Sequence, residues 1–257
     1  MKKIILLFFL FVTTSGYSQW EKNLNLKLGD YTYTTKYDTA SLETSFQLIK
    51  NGKTVFTGIS EFMIDTVMYF DINNTGQKNI FISEYSGGAH CCFYLLAGVI
   101  SDDKIKIYDT LYIGNVLFEF KDLNNDGKYE LQTNFDGIAY AFTNYAETRF
   151  PLLIYSWNGY KFVDITSQYP ELVKKEIDIF MPEIAEIKKD PEFKCLGKDD
   201  DTFNTPAGSL KTVLTAIAYS YMSIGETSKG IDLINKNYNC PDKQKFLNEL
   251  NEYYKIK

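Results

Sequence analysis

Two stretches of this chain repeat one another: Tyr69-Phe70-Asp71-Ile72-Asn73-Asn74-Thr75-Gly76-Gln77-Lys78-Asn79-Ile80 and, 51 residues further on, Phe120-Lys121-Asp122-Leu123-Asn124-Asn125-Asp126-Gly127-Lys128-Tyr129-Glu130-Leu131. Each leaves an apolar alternation, passes through acids, amides and a glycine, and re-enters an apolar alternation. That order reads as strand, acidic loop, strand. Repetition of this kind means one supersecondary unit used more than once. In the second copy Asp122, Asn124, Asp126 and Glu130 occupy loop positions 1, 3, 5 and 9, with Gly127 at 6 and the Lys128 carbonyl at 7. Such spacing wraps hard oxygen donors round Ca²⁺. An EF-hand would need a bidentate Glu at position 12, where this chain has Thr133, and helices where it has alternating runs. The first copy keeps Asp71 and Asn73 but places Thr75 at 5 and Asn79 at 9, so it is the weaker ligand set. A plain turn is the competing reading of both, because Asp-Gly and Asn-rich runs turn chains without any ion.

The same texture extends outward from the repeats. From Trp20 to Tyr169, short runs rich in Tyr, Phe, Thr, Ile and Val alternate with turn residues, as in antiparallel β-structure. Phe46 to Phe56 holds Asn51-Gly52 between two strands, which predicts a type I′ hairpin, and Leu153 to Val163 repeats the arrangement round Asn158-Gly159. Beyond Tyr169-Pro170 the period changes. Glu171 to Lys189 carries a helical apolar face that Pro182 is expected to kink or divide. Leu210, Val213, Leu214, Ile217, Ala218, Tyr221 and Met222 form a helical stripe ended by Gly225, and Ser228–Lys236 and Pro241–Lys255 read as two further helices. The fold class is therefore α+β: an N-terminal, mainly antiparallel β domain over 19–169, followed by a small helical unit over 170–257.

Strand, D-x-N-x-D-G-x-x-E, strand resembles the loops of FG-GAP or VCBS repeats, the calcium-binding blade loops of integrin-type β-propellers. The segment Ser83-Glu84-Tyr85-Ser86-Gly87-Gly88-Ala89-His90-Cys91-Cys92 is similar to one found in small secreted bacterial proteins of that kind. The resemblance runs from about Val67 to Val163, under half the chain. It implies a partial propeller-like or sandwich arrangement and calcium on Asp122, Asn124, Asp126, the Lys128 carbonyl and Glu130. It also implies a binding or structural role toward a protein or glycan.

Lys2 and Lys3, the apolar run Ile4 to Val12 and the small, polar Thr13 to Ser18 have the three-part form of a secretory signal, with cleavage after Ser18. The run is about half of the ~20 residues a spanning helix needs, so export to the periplasm or outside the cell is expected, with no membrane span afterwards. Without 1–18 the chain carries 25 Lys+Arg against 33 Asp+Glu, and Arg149 is its one arginine; nucleic acid is not an expected partner. Four cysteines in an exported chain belong in disulfides. Cys195 and Cys240 are placed to clip the Asp199-Asp200-Asp201 loop to the last helices, leaving Cys91 and Cys92 as a buried pair or a strained vicinal bridge. His90, the single histidine, rules out a two-histidine zinc motif, while His90-Cys91-Cys92 leaves open a redox or soft-metal site. No phosphate-binding loop, nucleophile elbow or C-x-x-C occurs, and no organic cofactor is expected. The reading is a non-enzymatic, calcium-stabilised exported module; the alternatives are an exported hydrolase using surface carboxylates and a redox or soft-metal protein.

Overall fold

The computed structural model describes residues 23–88 and 92–255, with the side chains of 254 and 255 left aside. The expected signal segment, His90 and Cys91 lie outside the described residues. Three four-stranded antiparallel sheets follow one another along the chain. The first contains β1 (Asn25–Leu28), β2 (Tyr31–Asp38), β3 (Glu43–Lys50) and β4 (Lys53–Ser60). The second contains β5 (Met63–Phe70), β6 (Asn79–Tyr85), β7 (Phe93–Ser101) and β8 (Lys104–Gly114). The third contains β9 (Glu119–Lys121), β10 (Glu130–Asn134), β11 (Leu152–Trp157) and β12 (Phe162–Asp164). Each sheet is a simple meander in which every strand pairs with its sequence neighbours. Four helices follow: α1 (Pro170–Lys189), α2 (Pro206–Ser223), α3 (Thr227–Asn237) and α4 (Lys243–Lys255).

The strand period decides how these layers stack. Successive side chains face opposite sides of a sheet, so a strand buried on both faces reads as a continuous apolar run. Asn79 to Ser83 in β6 are all buried. Ile80 and Ile82 enter a core with Leu28, Tyr33 and Leu48 of the first sheet, whereas Phe81 enters a core with Leu131, Trp157 and Phe162 of the third. In β11, Leu152 and Ile154 face the helices and Trp157 faces the second sheet. The order of layers is sheet one, sheet two, sheet three, helices.

Local details depart from the sequence reading in three places. Asn51 and Gly52 take φ of 51° and 74°, as a type I′ turn requires, but the second hairpin is not a copy of the first. Trp157 pairs with Phe162, leaving the four residues 158–161 in the loop. There Gly159 has positive φ, and the Asn158 side chain accepts from the N–H groups of Tyr160 and Lys161 at 3.0 and 2.9 Å. An Asx turn replaces the left-handed Asn. Pro182 does not divide α1, which runs unbroken over Pro170–Lys189. Its missing N–H costs one bond, while Val173, Ile177 and Ile184 anchor both halves in the core. Finally, α2 is buried nearly all round, Thr212, Thr215 and Ser220 included, because it lies at the centre of the helical unit. An amphipathic stripe understates it.

The helical unit is tied by a disulfide and a buried ion pair. Cys195 and Cys240 form a disulfide with Cα atoms 5.0 Å apart. Beside it, Lys211 Nζ lies 2.6 Å from Asp242 Oδ2, both side chains under 5% exposed, and donates to Thr202 Oγ1 at 2.8 Å. The ammonium sits 5.6–5.7 Å from the rings of Phe142, Tyr238 and Phe246, and the Tyr238 hydroxyl donates to Asp242 at 2.9 Å. Removing one member of such a pair strands a buried charge, at a cost of about 3–5 kcal/mol, whereas removing both costs far less. Lys211→Ala is therefore expected to lower the urea unfolding free energy by about that much. The double variant Lys211→Met with Asp242→Leu should be the more stable of the two; equal losses would show that the pair does not act as a unit.

Candidate functional site

The two acidic loops adopt one backbone form. Both leave a strand one residue before the first Asp and re-enter a strand at position 9, Asn79 in one and Glu130 in the other. Asn74 and Asn125 take φ of 54° and 62°, and Gly76 and Gly127 take 86° and 83°. The Asp at position 1 closes each turn by accepting from the glycine N–H five residues on. The loops also touch. Tyr129 N donates to Ile72 O at 2.8 Å, and a Cβ on Gly127 would fall 2.9 Å from Asn74 Nδ2. Neighbouring sheets thus present the loops side by side.

Their charge differs. Burial pushes the Asp71 carboxyl up, but the N–H groups of Thr75, Gly76, Asn73 and Asn74 outweigh it and hold it below the usual carboxylate range. Backbone donors already satisfy this anion. In the second loop Asp122 and Asn124 both accept from Asp126 N, at 3.1 and 3.0 Å, and Asp126 accepts from Lys128 N at 2.8 Å. Glu130 is buried and accepts from Leu123 N at 3.0 Å. It also meets the hydroxyl of Tyr169, which caps α1 and whose pKa is pushed up to about 12 by burial and by the charges of Glu130, Asp126 and Asp122. Three carboxylates therefore share one neighbourhood, and among the described residues none of them forms an ion pair with Lys or Arg.

The donor set fits a hard cation in kind: three carboxylates, one amide oxygen and the Lys128 carbonyl. It is not preassembled, because the acidic oxygens point at the turn's own N–H groups. Among the described residues no group of three or more His, Cys, Asp or Glu converges as a metal site. Nothing in the sequence marked Glu130 at position 9 as buried, and Tyr169 carried no sequence signal at all.

The Gly-Gly segment lies at the opposite end of the sheets, after β6. Gly87 and Gly88 both have positive φ, and Ser86 and Cys92 close the loop by reciprocal bonds of 3.1 and 3.0 Å. The Tyr85 hydroxyl donates to the Gly88 carbonyl. Cys92 Sγ lies 3.3 Å from the Tyr112 hydroxyl. The pairing expected for Cys91 and Cys92, and any ligand role of His90, fall outside the described residues. The length of β6 separates Ser86 to Gly88 from the first acidic loop.

One acid that sequence left unmarked sits where the third sheet meets the helices. Glu176 of α1 accepts from Leu152 N at 2.8 Å and from Asn134 Nδ2 and Ser220 Oγ at 3.3 Å. No protein-family model, curated protein or solved structure matches the chain.

Burial raises the Glu176 carboxyl from 4.5 to about 7, against the opposing pull of those three donors. The folded state then holds its proton more tightly than the unfolded chain does. This contribution is complete below pH 4.5 and is lost as the pH rises through 7, a loss on the order of 3 kcal/mol. Urea unfolding between pH 5 and 8 should show the fall in the wild type and a flatter profile in Glu176→Gln; parallel profiles would assign the pH dependence elsewhere.

Proposed function

We propose that this protein is an exported, calcium-stabilised binding or structural module, with Ca²⁺ taken up at Asp122, Asn124, Asp126, the Lys128 carbonyl and Glu130. The observation that carries the reading is the uncompensated charge of the second loop: three acids, one of them buried, with no cationic partner among the described residues. Burying a carboxylate without a counter-charge is costly, and a divalent ion supplies that counter-charge. The resemblance to FG-GAP and VCBS loops supports the same assignment. So does the meander form of the three sheets, the form of a propeller blade, although three blades fall short of the 4–8 of a closed ring. The first loop takes part only as a neighbour, since it offers one carboxylate, Asp71, where the second offers three. Among the described residues no helix is long and apolar enough to cross a membrane.

Because the ligands must turn away from their own backbone donors, affinity belongs in the weak extracellular range of about 10⁻⁴–10⁻³ M. Millimolar Ca²⁺ should raise the melting temperature by a few degrees through mass action. Asp126→Ala should remove most of that rise, and Asp71→Ala should leave it in place. Scanning calorimetry that finds the wild-type transition unmoved by calcium across that range would remove the assignment.

A further inference from the structure

Along the third sheet, from Asp136 at the end away from the acidic loops to Phe162 beside Trp157, there is a cavity of about 570 Å³ that no motif marks. Its walls are aromatic: Tyr112 of β8, Phe135 after β10, Tyr155 of β11 and Phe162 of β12. Two acids, Asp136 and Asp164, complete it, and among the described residues no Lys, Arg or His lines it. The walls are fixed without a ligand. Phe135 stacks on Tyr219 of α2 with ring centroids 4.7 Å apart, and Phe162 packs edge-on against Trp157 at 5.2 Å.

The chain makes room here for a carboxylate. Asp136 lies against Gly114, the last residue of β8, which has φ of 73°. A Cβ there would come 2.2 Å from Asp136 Oδ2, so a larger residue would expel the acid. Its partners are weak for a half-buried charge: the hydroxyls of Tyr145 and Tyr112 at 3.3 and 3.5 Å, and the N–H of Asn115. Among the described residues it has no ion pair. Burial outweighs these donors and pushes the carboxyl up.

We infer that this cavity binds a small organic ammonium, its cation seated at Asp136 between the aromatic walls. Three features select that class. A half-buried carboxylate without a counter-charge is completed by a cation. Aromatic faces attract cations, and more so when water is excluded. Asp136, which has no ion pair among the described residues, repels anionic ligands. The volume is that of a small-molecule site, and rigid walls spare the ligand the cost of ordering them. The inference does not depend on calcium, because the length of β10 separates Asp136 from Glu130.

Titration calorimetry on the full chain with three probes of one shape separates the possibilities: 2-phenylethylammonium, neutral 2-phenylethanol and anionic phenylacetate. The ammonium should bind saturably, about tenfold or more tighter than the alcohol, and phenylacetate should give no saturable heat. Asp136→Asn, close in shape, should keep the melting temperature and lose about tenfold in affinity for the ammonium. If that variant does not fold, Asp164→Asn is to show the weakening instead. Absence of saturable ammonium binding, an alcohol or phenylacetate that binds as tightly, or a folded variant of this pair that binds as well as the wild type would overturn the proposal.

Discussion

The burial of β6 on both of its faces is the constraint from which the rest of this structure follows. Its run Asn79-Ile80-Phe81-Ile82-Ser83 has no solvent side. Each fully buried Ile or Phe is worth roughly 1.5–3 kcal/mol, but only if a partner layer covers it. The first sheet covers Ile80 and Ile82, and the third covers Phe81. The third sheet is two-faced in turn, so Leu152 and Ile154 need the helices. The helical unit thus closes one end of a stack that the first sheet closes at the other. The core it shares with β11 runs straight across the Tyr169-Pro170 junction.

This layering also explains where the polar features lie. Adjacent meanders bring equivalent loops together, so the Asp71 and Asp122 loops touch at one end, and the Gly-Gly segment and Asp136 lie at the other. At the first end the two loops differ in charge. Asp71 is a lone carboxylate held by backbone donors, whereas Asp122, Asp126 and Glu130, also held by backbone donors, share a neighbourhood with a tyrosine hydroxyl and have no Lys or Arg partner among the described residues. The difference traces to Asp126 and Glu130, which stand where the first copy has Thr75 and Asn79.

Local sequence signals read well wherever the backbone itself sets the answer. The repeat located the strand ends on both sides of each acidic loop, Asn51-Gly52 specified its turn, and the change of period at Pro170 marked the first helix. What escaped was decided in three dimensions. The first sheet has no acidic loop, only the tight turn at Gly29 and Asp30, so it did not register as a third copy of the unit. Lys211 looks like one polar residue on a helix, and only the fold surrounds it with Asp242 and three rings. Glu176 and Asp136 are ordinary acids in sequence. Their environments come from strands and helices far away along the chain.

The central claim is that the second acidic loop, and not the first, takes up calcium to balance its own charge. Amide hydrogen exchange, followed by mass spectrometry with and without millimolar Ca²⁺, tests it at the residues concerned. The account predicts slower exchange confined to peptides covering Asp122 to Asn134 and the adjoining start of α1 at Tyr169, with Asp71 to Asn79 changed little. Exchange unaltered by calcium in the second loop, or slowed equally in both loops, would contradict it.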